Sequence, residues 1–338
     1  MDRKRDLWLD ALKGLAIIFI VLGHTIERME TGTGYINDPL HFIDVGVNRI
    51  HIHIFFIVSG FLFGLFERKK LFVHGNLKIY VRKKALDLFL PYTYFAIIIW
   101  LGKMAFSDFV VRQTNFQDLV FMFIKPVAFM WYIYVLFWIS VLVACLLVAL
   151  KNNMRVIAIL GIAMLLVNIF WRPELILLYK IFQNTFIFCL GIIIAENKDI
   201  LKNKILFSVS GLITVIFVYL SWRFENQSEL IYAITNVSSA LFFLMLFYKL
   251  RNIDFSLLTK LGQETLYIYI MHPVILNAIR MVFIKIGFDC VPIWIIVMLT
   301  SGIGLPYVYA IIAKRIKVLE VLFKPRRYIE AKFRNVMN

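Results

Sequence analysis

The chain has 338 residues, of which 61% are apolar and 17% charged, against roughly 45–50% and about 25% in a soluble domain. That balance excludes a soluble fold. Lysine and arginine outnumber the acidic residues 37 to 21, but they sit in short clusters between apolar runs. The pattern is one of membrane topology, which excludes nucleic acid as a partner.

A membrane-spanning helix takes about 20 mostly apolar residues. Such runs fall at about 7–28, 49–67, 86–106, 130–150, 154–171, 177–195, 205–222, 228–248, 264–286 and 290–313. They predict an all-α polytopic membrane protein with ten spans, organised as one domain over residues 1–338. The segment 108–129 holds Phe121, Met122 and Phe123 but is broken by Pro126, so it is expected to lie at the interface or re-enter. With the N-terminus in the cytoplasm, the inner segments carry 26 basic residues and the outer segments 10, so both termini are expected inside. The first apolar run is not followed by a small-residue cleavage site and is read as a retained helix. Cys145, Cys189 and Cys290 show no paired or ligand-like spacing, so neither a disulfide nor a bound metal is expected.

The polar residues inside the spans carry the chemistry, because a charge at mid-membrane costs at least ~2.5–3.5 kcal/mol on insertion scales. In the first span Lys13 and His24 are eleven residues apart. At about 100° per residue they return to one helix face, roughly 16 Å from each other. Asp10 and Glu27 extend that face by a turn at each end, with Ile17 and Ile20 between. Lys13 snorkelling to the inner headgroups and His24 resting at the outer interface would satisfy the pattern. A proton-transfer role for His24 satisfies it as well, since imidazole exchanges a proton near neutrality.

The second span opens with Arg49, His51 and His53 and continues through Ser59, Gly60 and Gly64. A helix sets His51 and His53 about 200° apart, so one site can take only one of them. Gly60 and Gly64 read as a close helix contact, and Ser59 lacks the flanking glycines of a nucleophile elbow. Arg68, Lys69, Lys70, Lys78, Arg82, Lys83 and Lys84 follow as a dense basic patch. The patch suits both inner-face topology and a phosphate-bearing ligand. In the ninth span His272 precedes Pro273, either a satisfied polar group at a kink or a site residue. The tail from Lys314 to Asn338 is basic, and its Val318, Leu319, Val321, Leu322 and Phe323 are expected to rest on the inner interface.

Taken together, these segments resemble the acyltransferase-3 family of multi-span membrane acyltransferases, especially its fucose 4-O-acetylase-like branch. The stretch through Arg5, Trp8, Asp10, Lys13, Gly14, Val21, Gly23 and His24 is similar to that family's first-helix signature. His51 to Gly64, Arg82 to Lys84 with Leu90, Pro91 and Tyr92, the run Trp131, Tyr132, Leu136 and Phe137, and Gly262 to His272 resemble its later motifs in order. The sequence departs from the family pattern where His53 replaces a usual Pro and Asp87 a usual basic residue.

The resemblance implies an acyl-CoA donor, usually acetyl-CoA, docking from the cytoplasm of a bacterial plasma membrane. It also implies a carbohydrate hydroxyl, at or near the outer face, as acceptor. His24, Lys13, Asp10 and His272 are the expected catalytic residues. Arg82, Lys83 and Lys84 with Lys13 would bind the donor, and His51, Ser59, Trp131 and Glu27 would line the cavity. Direct transfer is favoured over an acyl-enzyme, since no activated Ser or Cys is evident. The competing reading is a transporter or flippase for a polysaccharide precursor, with Lys13 and His24 on its substrate path. Transporters of that kind often show two related halves, and no internal repeat is visible here.

Overall fold

A computed structural model describes residues 6–74, 77–105, 114–224 and 228–330. Among them there are helices and no strands. Ten helices are long and apolar enough to cross a membrane. They are α1 (Leu7–Thr33), α2 (Asp38–Phe66), α3 (Leu77–Ala105), α4 (Trp131–Ala149), α5 (Met154–Trp171), α6 (Ile176–Glu196), α7 (Lys204–Arg223), α8 (Glu229–Lys249), α9 (Thr265–Lys285) and α10 (Val291–Ala313). All ten expected spans are present, and the all-α polytopic class with them. Their outward side chains show what solvent they are made for, since Phe170 and Trp171 are 84% and 82% exposed, a cost that only lipid or an interface removes.

The chain forms two compact units, one from residues up to Leu65 together with Ile187–Val308, the other from Phe66–Phe186 together with residues from Tyr309 onward. In the first unit Trp8 meets Phe61 and Tyr248 edge-on, each at 5.7 Å between ring centroids. Ile26, Met29, Leu276, Trp294 and Met298 close the other end of α1. Gly60 of α2 faces α6 so closely that a Cβ there would lie 1.9 Å from the Phe188 carbonyl oxygen. This is the close contact that a small-residue pair permits.

In the second unit Tyr92 stacks on Tyr134 at 4.5 Å, and their hydroxyls hold the irregular segment before α4. Tyr134 donates to the Phe123 carbonyl at 2.9 Å, while the Tyr92 hydroxyl donates to Met122 and accepts from the Val127 amide. Of the expected segment 108–129, residues 108–113 lie outside the described residues. The remainder consists of one short turn of helix, Phe116–Val120, with 3-10 turns at Phe121–Phe123 and Ala128–Met130, all too short to span.

Three expectations change. The second span begins at Asp38 instead of near residue 49, its first turns being polar enough to escape a hydropathy reading. The helix of the third span, expected at about 86–106, begins earlier and takes in the basic residues before Pro91. Leu77–Lys84 is helical and passes through a π-helical turn, Ala85–Phe89, into Leu90–Ala105. Pro91 has no N–H to give the carbonyl four residues back, and its ring crowds that carbonyl, so the preceding turn widens instead of ending the helix. In the tail, Phe323 turns into the protein, 3% exposed and 4.6 Å from Phe95 between ring centroids, whereas Val318 stays 76% exposed. Arg327 and Tyr328 both bind the buried Glu320 carboxylate, and Arg326 reaches Asp87 at 2.7 Å. The acidic departure at position 87 therefore has a cationic partner from the tail.

Candidate active site

The first unit builds its site on α1. The short helix Ser256–Gln263 lies against the start of α1 with backbone touching backbone. A Cβ on Gly14 would fall 2.0 Å from the Leu258 carbonyl oxygen, and one on Gly262 would fall 1.7 Å from that of Asp10. This contact buries Asp10 to 4% exposure. Asp10 accepts from the Lys13 ammonium at 2.7 Å, so the lysine carries a fixed counter-charge along the face where snorkelling alone would leave it mobile.

Towards the other end of α1, His24 Nδ1 lies 2.9 Å from Glu27 Oε2, and Arg28 donates to the other carboxylate oxygen at 2.8 Å. The His272 ring stacks beside His24, 5.3 Å between centroids and 30° between planes. His272 Nδ1 meets the Ile268 carbonyl at 2.8 Å, with the Tyr269 carbonyl also in reach. Pro273 accounts for the second acceptor, because it lacks the N–H that would have served Tyr269 within the helix. His51 Nδ1 is bound to the Val47 carbonyl, and the three imidazoles lie within electrostatic range of one another. Gly23, packed on Val47 and Asn48, brings α1 close enough to α2 for this.

A carboxylate or carbonyl oxygen only accepts, so Nδ1 bears the hydrogen in all three rings. In each neutral ring Nε2 then holds the lone pair. The His24 and Glu27 side chains are 29% and 46% exposed, whereas His272 is fully buried. A base oriented by a carboxylate therefore stands at an accessible edge with a second imidazole behind it. An imidazole held in this way has the free nitrogen and the access that a general base acting on a hydroxyl uses.

The structure thus brings Asp10 to Lys13, and His24 to Glu27, His272 and His51. His53 is buried on the same helix as His51. Ser59 is half-buried in α2. The other expected site residues belong to the second unit. Arg82 is exposed and Lys83 half-buried. Lys84 lies over the Tyr80 ring at 5.4 Å, among the charges of Glu67, Asp87 and Arg326. Arg68 of the same patch is bound to Asn152 at 2.7 Å, where it pins a turn. Trp131 lies under the Lys180 ammonium at 4.7 Å. Arg28 escaped the sequence reading, although its place directly after Glu27 was the available signal. Among the described residues no group of His, Cys, Asp and Glu is arranged to hold a metal ion.

The chain thus combines ten helices long and apolar enough to cross a membrane with a histidine held by a carboxylate. Its sequence matches the profile of the acyltransferase-3 family, an acyltransferase domain, over residues 6–311, and the chain belongs to that family. It is similar to the nodulation protein NolL of Mesorhizobium japonicum, 24% identical over 232 residues. That match covers 66% of this chain and 58% of the relative. No solved structure matches the chain.

Proposed function

We propose that the protein transfers an acyl group, most simply acetyl from acetyl-CoA, to a hydroxyl of a cell-surface carbohydrate or its lipid-linked precursor. The whole chain acts as one acyltransferase domain, of the fucose 4-O-acetylase-like kind, in a bacterial plasma membrane with both termini cytoplasmic. The observation that carries the reading is the His24–Glu27 pair, with His272 stacked on it. In the reaction, Nε2 of His24 takes the acceptor hydroxyl proton as that oxygen attacks the thioester carbonyl. The carbon–sulfur bond breaks, and the departing CoA thiolate recovers a proton from the imidazolium. Glu27 holds the productive tautomer and offsets the transient charge, Arg28 holds Glu27, and His272 orients the acceptor or its carbonyl partner. The Lys13–Asp10 pair serves the donor.

Mass spectrometry of surface glycans from cells with and without the protein tests the reaction. An acyl-sized mass difference on one sugar is expected. Loss of a whole glycan without any change in acylation would instead favour the flippase reading.

The donor site is proposed to include the basic patch of the second unit, because CoA phosphates are drawn to a cationic rim with a salt-dependent strength. Changing Arg82 and Lys83 to Gln is expected to raise the KM for acyl-CoA several-fold and leave the acceptor KM near its original value. Lys84→Gln is expected to act partly through stability, since its charge faces Glu67 and Asp87. Unchanged donor KM and unchanged salt dependence in an inserted variant would reduce the patch to a topology signal.

A further inference from the structure

We propose that the second unit carries a binding cleft for a neutral oligosaccharide at the non-cytoplasmic end of α3. The inference rests on the proposed orientation, which puts the C-terminal end of α3, the segment 114–127 and the turn before α6 on the outer side. These three pieces enclose a cavity of about 670 Å³, within the roughly 300–1,000 Å³ of small-molecule sites.

Its walls have the chemistry that sugars need. Trp100 and Phe121 both line it. Trp100 spends its only donor on the Asn115 carbonyl at 2.8 Å, so the indole offers the cavity π surface, on which the C–H face of a pyranose can lie. Gln117, Lys125 and Glu174 also line it, and none of these side chains has a hydrogen-bond or ion-pair partner among the described residues. Together they present amide, ammonium and carboxylate groups, matching hydroxyls that both donate and accept.

The cleft is built before any ligand arrives. Asn115 and Asp118 cap the short helix reciprocally, and the Tyr92 and Tyr134 hydroxyls fasten Val127 and Phe123 behind it. Its charge selects against the obvious competitor, a phospholipid headgroup. Among the described lining residues, Lys103 and Lys125 are matched by Asp118 and Glu174, so these side chains offer a phosphate no net positive charge.

The test is saturation-transfer NMR on the purified full-length protein in nanodiscs, with maltotriose, chitotriose and mannotriose as probes. At least one trisaccharide is expected to receive magnetisation. Its affinity should fall about tenfold in Trp100→Ala, the loss expected for removing an aromatic contact, and measurably in the exposed-site variants Gln117→Ala and Glu174→Gln. The inference is overturned if no probe binds, if all three variants bind as the parent does, or if glycerol 3-phosphate displaces the sugars at lower concentration than they bind. No acyl donor is present, so failed binding leaves the proposed transfer reaction standing, and failed turnover leaves the cleft standing.

Discussion

Purified His24→Ala protein is expected to insert normally and lose acyl transfer by about 10²–10⁴-fold, the usual contribution of a positioned general base. The side chain makes one hydrogen bond, to Glu27, and one ring contact, to His272, and 29% of it is exposed, so its removal leaves the apolar core intact. Glu27→Gln separates orientation from charge. The amide can still accept from Nδ1, so the tautomer survives, but it offers no negative charge to an imidazolium. A smaller loss in kcat with nearly unchanged KM is expected. Steady-state rates of both variants, with insertion checked by gel filtration, make the comparison. Parental turnover by His24→Ala would assign the imidazole to packing.

Gly262→Val is expected to cost the fold itself. Its Cβ would have to occupy the place of the Asp10 carbonyl oxygen, 1.7 Å away, and a backbone group cannot swing aside as a side-chain end can. The helix Ser256–Gln263 must then lift off α1, uncovering Asp10 and the Lys13 ion pair. Overpacking a core by a methylene or two costs ~1–3 kcal/mol, and a forced parting of two helices exceeds that. Gly14→Val should behave alike, facing the Leu258 carbonyl from the other side. Gly304→Ala is the control, since no atom outside its own helix lies within 4 Å of its Cβ position. Thermal aggregation midpoints in detergent read all three. A Gly262→Val protein as stable as the parent would contradict the packing.

The spans were legible because the bilayer imposes one rule, continuous apolar length, on every one of them. Where a span begins with residues that water and helix both accept, as at Asp38–Asn48, that rule has nothing to detect. The stripe of Asp10, Lys13, His24 and Glu27 was legible from helical period alone, and so was the separation of His51 from His53. What period cannot give is the neighbour across the chain. The stacking of His272 on His24, the pairing of Arg326 with Asp87 and the backbone contact of Gly14 with Gly262 are long-range facts, written in a sequence only as an isolated polar residue or a glycine. The early start of the third helix has another cause: hydropathy stops at the charged residues up to Lys84, whereas a helix that widens by one residue at Ala85–Phe89 passes through Pro91.

The unbroken course of α1 makes it a ruler. Seventeen residues separate Leu7 from His24, about 26 Å of rise against a hydrocarbon thickness of about 30 Å. In the proposed orientation the imidazole therefore stands almost at the far shore of the membrane. In the proposed reaction a glycan hydroxyl would then meet it without leaving water, while a thioester from the cytoplasm would have to be threaded through nearly the full apolar depth. Under that proposal the burden of reaching the reaction falls on the donor's flexible arm, and the acceptor can be as bulky as a surface glycan.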